Sequence, residues 1–257
     1  MKWFRRFYCG LILLFLYAPI AVLILFSFNE GKSRSEFTGF SLQWYEKLFE
    51  DEMLLESLFN TLLLAACSAL IATIIGTYAA LAISRMPKVA KKLSMTVLNI
   101  PMLNAEIVTG ISLMMLFVFF SIPLGFVSLL IAHVMFNVPY VVLSILPKLR
   151  QMNQGTYEAA LDLGATPSRA FRTVVLPQIL PGVISGAIMA FTLSLDDFII
   201  SYFTSGPTFP ILSVTINTMT KRAMPLTINA LSALMFIVVF VLLLIVNLKP
   251  NGRKKNV

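Results

Sequence analysis

The sequence predicts an all-α, polytopic membrane protein with six transmembrane helices, and three observations carry that prediction. The chain of 257 residues is 58% hydrophobic and 12% charged, about half the charged fraction of a soluble domain. Six apolar stretches, roughly 11–28, 58–83, 94–120, 126–146, 180–203 and 227–248, are long enough to cross a bilayer. Of the 20 basic residues, 15 fall in segments that alternate spanning would place on one side. The length fits one membrane domain and leaves no room for a second, catalytic one.

The first stretch follows Lys2, Arg5 and Arg6 and runs from Leu11 to Phe28. It is longer than the apolar core of a signal peptide, and Asn29-Glu30-Gly31-Lys32 supplies no small-residue cleavage site, so it reads as a retained helix. Segment 29–57 holds seven of the 12 acidic residues, with Trp44, Tyr45 and Phe49 at short spacing. A short amphipathic helix at the interface suits it. Two uses stay open, an aromatic anchor and a surface for a partner.

The second stretch ends at Arg85, Lys88, Lys91 and Lys92. The third is expected to kink or unwind where Asn99, Pro101 and Asn104 interrupt it. Pro123 and Gly125 mark a tight hairpin to the fourth, which contains His133, Asn137 and Pro139. Segment 147–179 is the longest connection on the basic side. The fifth stretch follows it. Pro207, Pro210 and Pro225 with Lys221 and Arg222 argue against a further span in 204–226. The sixth leads to a basic tail. Division at 1–56, 57–248 and 249–257 is expected. The basic residues orient the chain with both termini cytoplasmic.

Several classes of function fall away. The basic residues sit at helix ends and form no nucleic-acid patch. Cys9 and Cys67 lie in apolar context and make no disulfide framework. Gly31-Lys32-Ser33 looks like the end of a phosphate-binding loop, but Phe26 stands where that loop needs glycine. No nucleophile–base pair and no metal-ligand cluster is evident, which argues against an enzyme. No cofactor is expected on this chain.

The loop 147–179 carries the most specific pattern: Glu158-Ala159-Ala160, three residues, Gly164, nine residues, then Val174-Val175-Leu176-Pro177. Two short helices with a turn at Gly164 are expected, the first starting near Thr156. Thr166 is expected to cap the second, with Pro167 at its first position. Ala159 and Ala160 offer a smooth surface for another protein. Glu158 and Asp162 are one turn apart on one face.

Glu106, Asp196 and Asp197 lie inside spanning stretches, where a charge costs about 2.5–3.5 kcal/mol at the helix centre. They are expected to face the bundle interior, a polar cavity or a cation. Adjacent residues on a helix differ by about 100°, so one of Asp196 and Asp197 can face a pore while the other bonds a neighbouring element. Carboxylates pair with ammonium groups, and Phe198, Tyr202 and Phe203 can offer ring faces. An organic cation suits such a path. The alternative is structural, with the acids locking helices together. His133, the one histidine, reads as a helix–helix hydrogen-bonder.

The loop spacing is the E-A-A motif, with Val174 at the usual isoleucine. On these residues the chain resembles the permeases of binding-protein-dependent ABC importers of type I, with the MetI-like fold. Phe191-Thr192-Leu193-Ser194-Leu195-Asp196-Asp197-Phe198 and Ile228-Asn229-Ala230-Leu231-Ser232-Ala233 narrow the resemblance to the polyamine (spermidine/putrescine) permeases. The resemblance implies that Glu158, Ala159, Ala160, Asp162, Gly164 and Pro177 belong to a coupling helix region that engages an ATPase. It implies that Glu106, Asp196, Asp197, Tyr202 and Phe203 line the substrate path. It also implies two ATPase subunits carrying ATP and Mg, a second homologous permease, an external substrate-binding protein, and a bacterial plasma membrane.

Two other readings stand beside it. One is an importer permease for another solute, such as iron or a small organic compound. The other is a proton-coupled secondary transporter using Glu106, Asp196 and His133, which would leave the 158–177 spacing unexplained.

Overall fold

The computed structural model describes residues 2–31, 36–222 and 226–248. Lys32 and Ser33 of the rejected phosphate-loop stretch and the tail 249–257 lie outside them. Among the described residues every regular element is helical, and the two-residue bridge Asn29–Phe40 is the sole strand-like pairing. The chain divides into two units, 1–55 with 216–257, and 56–215.

In the first unit, α1 (Lys2–Ser27) and α2 (Gln43–Glu50) each pack against α12 (Thr227–Leu248). The connection after α1 is clasped by Asn29, whose side-chain amide donates to Glu36 O and whose Oδ1 accepts from Thr38 N, both at 2.9 Å. The indole of Trp44 donates to Asn29 O at 2.6 Å. Burial of Trp44 and Leu48 gives α2 its inner face. An amphipathic helix is thus present where the aromatic spacing suggested one.

The second unit begins within α3 (Glu52–Arg85). It continues through α4 (Lys88–Leu103), α5 (Glu106–Phe119), α6 (Phe126–Gln151), α7 (Gln154–Asp162), α8 (Pro167–Ala170), a π-helical turn (Phe171–Val175), α9 (Leu176–Asp196) and α10 (Ile199–Thr204). It ends in the first residues of α11 (Leu212–Arg222). Its main core joins α3, α6, the π turn and α9 through Ala72, Ala80, Val141, Ile145, Val175 and Ile179. A second cluster joins α5, α6 and α10 through Leu113, Phe117, Phe136 and Ile200.

Four helices are long and apolar enough to cross a membrane: Trp3–Ser27, Glu52–Arg85, Phe126–Gln151 and Pro167–Asp196. A fifth is added if α4 and α5, bent by 101° at Asn104–Ala105, count as one broken span, and Thr227–Val238 is a shorter apolar helix. The described residues therefore support four or five spans where six are expected.

Three local results differ from the sequence expectation. The stretch 180–203 is not one helix, because α9 stops at Asp196 and Asp197 is extended (φ −65°, ψ 122°). The second loop helix does not end before the fifth span. From Pro167 to Asp196 the helix is continuous through its π turn. Pro177, at the start of α9, has no N–H to return to the preceding turn, and the bond that closes the π turn runs instead from Leu176 N to Phe171 O. The first loop helix starts at Asn153, whose side chain accepts from Gly155 N at 3.0 Å, rather than at Thr156.

Candidate functional site

The first candidate site is the knob built on α7. Its end is a Schellman turn: Ala165 N donates to Ala160 O at 3.1 Å and Gly164 N to Leu161 O at 2.9 Å. Gly164 makes this possible with φ +84°. Thr166 then caps α8 by accepting from Arg169 N at 3.4 Å. Two capped helix ends in succession fix the corner between α7 and α8.

Tyr157 faces inward against the α3–α6–α9 core, with the Arg85 guanidinium 5.7 Å over its ring. Glu158, Ala159 and Asp162 are exposed, and Ala160 is half-buried. Pro177 stands apart from them at the exposed start of α9, beyond the π turn against which α7 packs. Leu163 is 89% exposed, the most exposed large apolar side chain among the described residues. Sequence reasoning passed over it. Its signal was an apolar residue directly before the helix-ending glycine, a place where solvent exposure is expected.

The second candidate site lies where α5 meets α10. Gly110 allows the close approach. A Cβ there would stand 2.9 Å from the Phe203 ring and 3.4 Å from Ile199 O. Glu106 is one turn before Gly110 on the same face and opens α5 directly after the bend. It is exposed. Asp196, the last residue of α9, is also exposed, just before the Ile199 that Gly110 meets. Among the described residues neither carboxylate has a hydrogen bond or an ion pair. Tyr202 is half exposed, and its ring lies 5.6 Å from Phe198 and 5.3 Å from Phe203. Two exposed carboxylates thus stand at two helix breaks, Glu106 at the start of α5 and Asp196 at the end of α9, and α5 packs on α10, which carries Tyr202 and Phe203.

Asp197 is not part of that group. Its side chain is 6% exposed and caps α10, accepting from Ile200 N at 3.3 Å and Ser201 N at 2.7 Å. His133 Nε2 lies 3.5 Å from Asp197 Oδ2 and 3.1 Å from Ser201 Oγ. His133 thus bonds α6 to α10, as a helix–helix contact. A second buried chain, Asn137 to Ser194 to Ser68, ties α6, α9 and α3 with two bonds of 2.8 Å. Chemically, exposed carboxylates are groups that pair with cations, and the contacts among His133, Asp197 and Ser201 hold the break between α9 and α10 in shape. Among the described residues no group of His, Cys, Asp and Glu could hold a metal ion.

Comparison with known proteins gives the chain relatives in sequence and in fold. Residues 72–250 match the family model described as binding-protein-dependent transport system inner membrane component. The chain is 37% identical over 252 residues to the spermidine/putrescine transport system permease protein PotC of Haemophilus influenzae, covering 98% of this chain and 97% of that one. To the protein of the same name in Escherichia coli K12 it is 35% identical over 241 residues, covering 94% and 91%. To the putrescine transport system permease protein PotI of the same strain it is 36% identical over 227 residues, covering 86% and 81%. A chain in the crystal structure of a bacterial ABC transporter importing the acidic polysaccharide alginate superposes with a TM-score of 0.77 at 13% identity, covering 96% and 95%. That likeness is one of fold.

Proposed function

The chain belongs to the family of binding-protein-dependent transport system inner membrane components, and from that premise we propose that it is the permease subunit of an ATP-driven importer. Its cargo is a polyamine of the spermidine/putrescine class, carried across the bacterial plasma membrane. The observation that carries this reading is whole-length similarity, at 35–37% identity, to permeases named for those amines. The seam between α5 and α10 supports it, since free carboxylates and ring faces suit a flexible polycation.

In this reading the chain spans the membrane six times with both termini in the cytoplasm. The permease core is 57–248, with 1–56 as the leading helix and external loop and 249–257 as a cytoplasmic tail. Its partners are a second homologous permease, two ATPase subunits, an external polyamine-binding protein and the surrounding lipid. ATP and Mg belong to the ATPase, and no residue of this chain is assigned to hold them.

Each group then has a physical task. Glu158, Ala159, Asp162, Leu163 and Gly164 present the knob to the ATPase. Tyr157 roots the knob in the core, so a push on it is borne by packed side chains. The continuous helix from Pro167 to Asp196, with Pro177 behind its π turn, carries that displacement towards the seam. There Asp196 and Glu106 offer charge to the passing cation, and Tyr202 and Phe203 offer ring faces. Asp197 acts at one remove, by shaping the break that presents Asp196.

The test is uptake of radiolabelled spermidine and putrescine by cells carrying this chain with its neighbouring subunits. Uptake is expected, and it should vanish when ATP is depleted with the proton gradient intact. Uptake that survives ATP depletion would overturn the importer reading in favour of a proton-coupled transporter. An assembled, ATP-hydrolysing complex that moves no polyamine would move the cargo to another solute.

A further inference from the structure

At the end of the second unit that carries α7 lies a cavity of about 630 Å³, within the size range of small-molecule sites. Arg85, Lys91 and Arg150 line it from three separate helices, with Ser84, Tyr157 and Glu158 completing the polar wall. Three cations thus face one carboxylate. Among the described residues none of the four is in an ion pair, and Arg85 has only the Tyr157 ring beneath it.

Helix dipoles account for part of this. Arg85 and Arg150 stand in the last turns of α3 and α6, where a cation is favoured. Lys91 is the opposite case. It stands at the start of α4, whose first turn contains no acid and whose N-cap, Pro87, provides no side-chain cap. A cation there adds to the positive end of the helix. Three cations and one carboxylate lining one cavity leave an excess of positive charge that an anion would balance.

The geometry points to an anion-binding site in this cavity that takes a phosphate group, held by Arg85, Lys91 and Arg150. Arginine offers forked donors to phosphate oxygens and lysine a point charge. Ser84 and Tyr157 add hydroxyls. The phosphate comes either from an anionic lipid headgroup or from a soluble phosphate. With the orientation proposed above, the cavity lies at the cytoplasmic headgroup level, where basic pockets between helices meet anionic lipid. The site itself does not depend on which solute is carried. Because Tyr157 and Glu158 belong to α7, an occupant touches α3, α4, α6 and α7 together and braces the knob against the core.

The test uses the full-length chain purified in detergent and stripped of lipid. Native mass spectrometry reads retention of phosphatidylglycerol against phosphatidylcholine, and ultrafiltration reads binding of labelled inorganic phosphate. Arg85→Gln with Lys91→Gln should weaken anion binding by about tenfold or more, the loss expected for charge-assisted bonds. Lys92→Gln, an exposed neighbour that does not line the cavity, should leave it unchanged. Lys91→Gln alone keeps the comparison readable if the double variant fails to fold. Retention of phosphatidylglycerol that inorganic phosphate does not displace identifies the lipid as source. Binding of inorganic phosphate without lipid identifies the soluble source. Equal anion binding in the Lys91 and Lys92 variants, or no anion binding by the unaltered chain, overturns the site.

Discussion

Asp196 and Asp197 are adjacent in sequence and opposite in employment. The carboxylate of Asp197 is buried, accepts two backbone N–H groups at the start of α10 and sits 3.5 Å from His133. That of Asp196 is exposed and has no hydrogen-bond or ion-pair partner among the described residues. The break between α9 and α10 causes the difference, because an extended residue between two helices is where a carboxylate can cap the second.

The two acids should therefore fail differently. Asp196→Asn is expected to lower polyamine uptake by about tenfold, the worth of one charge-assisted contact, with assembly and melting temperature unchanged. Asp197→Ala should cost about 1–2 kcal/mol of stability through the lost cap. Asp197→Asn, which keeps an acceptor, should retain most of that stability. Thermal unfolding in detergent beside uptake assays separates the cases. Equal loss of uptake in both Asn variants, at equal stability, would refute the division of labour.

Gly164 has φ +84° with nothing within 4 Å of where a Cβ would stand. A substitution there meets strain and no clash, at about 1–2 kcal/mol for an ordinary residue in the left-handed region. Asparagine tolerates that region best, so ATPase coupling should fall in the order Gly, Asn, Ala, Val. The readout is ATP hydrolysis stimulated by loaded binding protein. If Asn proves as damaging as Val, the space around Gly164 is filled by the partner and strain is not the cause.

Leu163, 89% exposed at the apex of the knob, is expected to anchor the ATPase. Leu163→Ser should reduce co-purification of ATPase with permease while leaving permease yield and thermal stability alone. Burying a leucine in an interface is worth about 1.5–3 kcal/mol, which converts to roughly tenfold or more in affinity. Undiminished co-purification would remove Leu163 from the interface.

Gly110→Ala should force α5 away from α10, because the new methyl would stand 2.9 Å from the Phe203 ring. Overpacking of this kind costs about 1–3 kcal/mol. Phe203→Leu in the same chain should recover part of the loss, since the two sites share one contact. A double variant no better than Gly110→Ala alone would place the strain against the Ile199 backbone and not the ring.

The helical class, the loop and the capped corner at Thr166–Pro167 were legible because they rest on local chemistry: apolar run length, basic residues at helix ends, and Gly and Pro at turns. The bend at Asn104–Ala105 was foreshadowed by Asn99, Pro101 and Asn104, although its 101° was not. The break at Asp197 was illegible. Apolar residues continue through Phe198-Ile199-Ile200, so hydropathy does not change where the hydrogen bonding does. For the same reason the different tasks of Asp196 and Asp197 could not be assigned from sequence. The choice of Asn153 over Thr156 turned on the end of α6, one residue before Met152, and a helix end is set by packing as much as by its cap.

The π turn at Phe171–Val175 has a consequence for reading frame along the helix. A π turn is an α-helix with one residue inserted. Deleting a single residue within it would restore regular α geometry and leave Pro167 and Asp196 in their present relative azimuth. Deleting one anywhere in α9 beyond it would turn Asp196 by about 100° from its present direction. This one turn is where the chain can lose a residue without re-aiming the carboxylate that ends the helix.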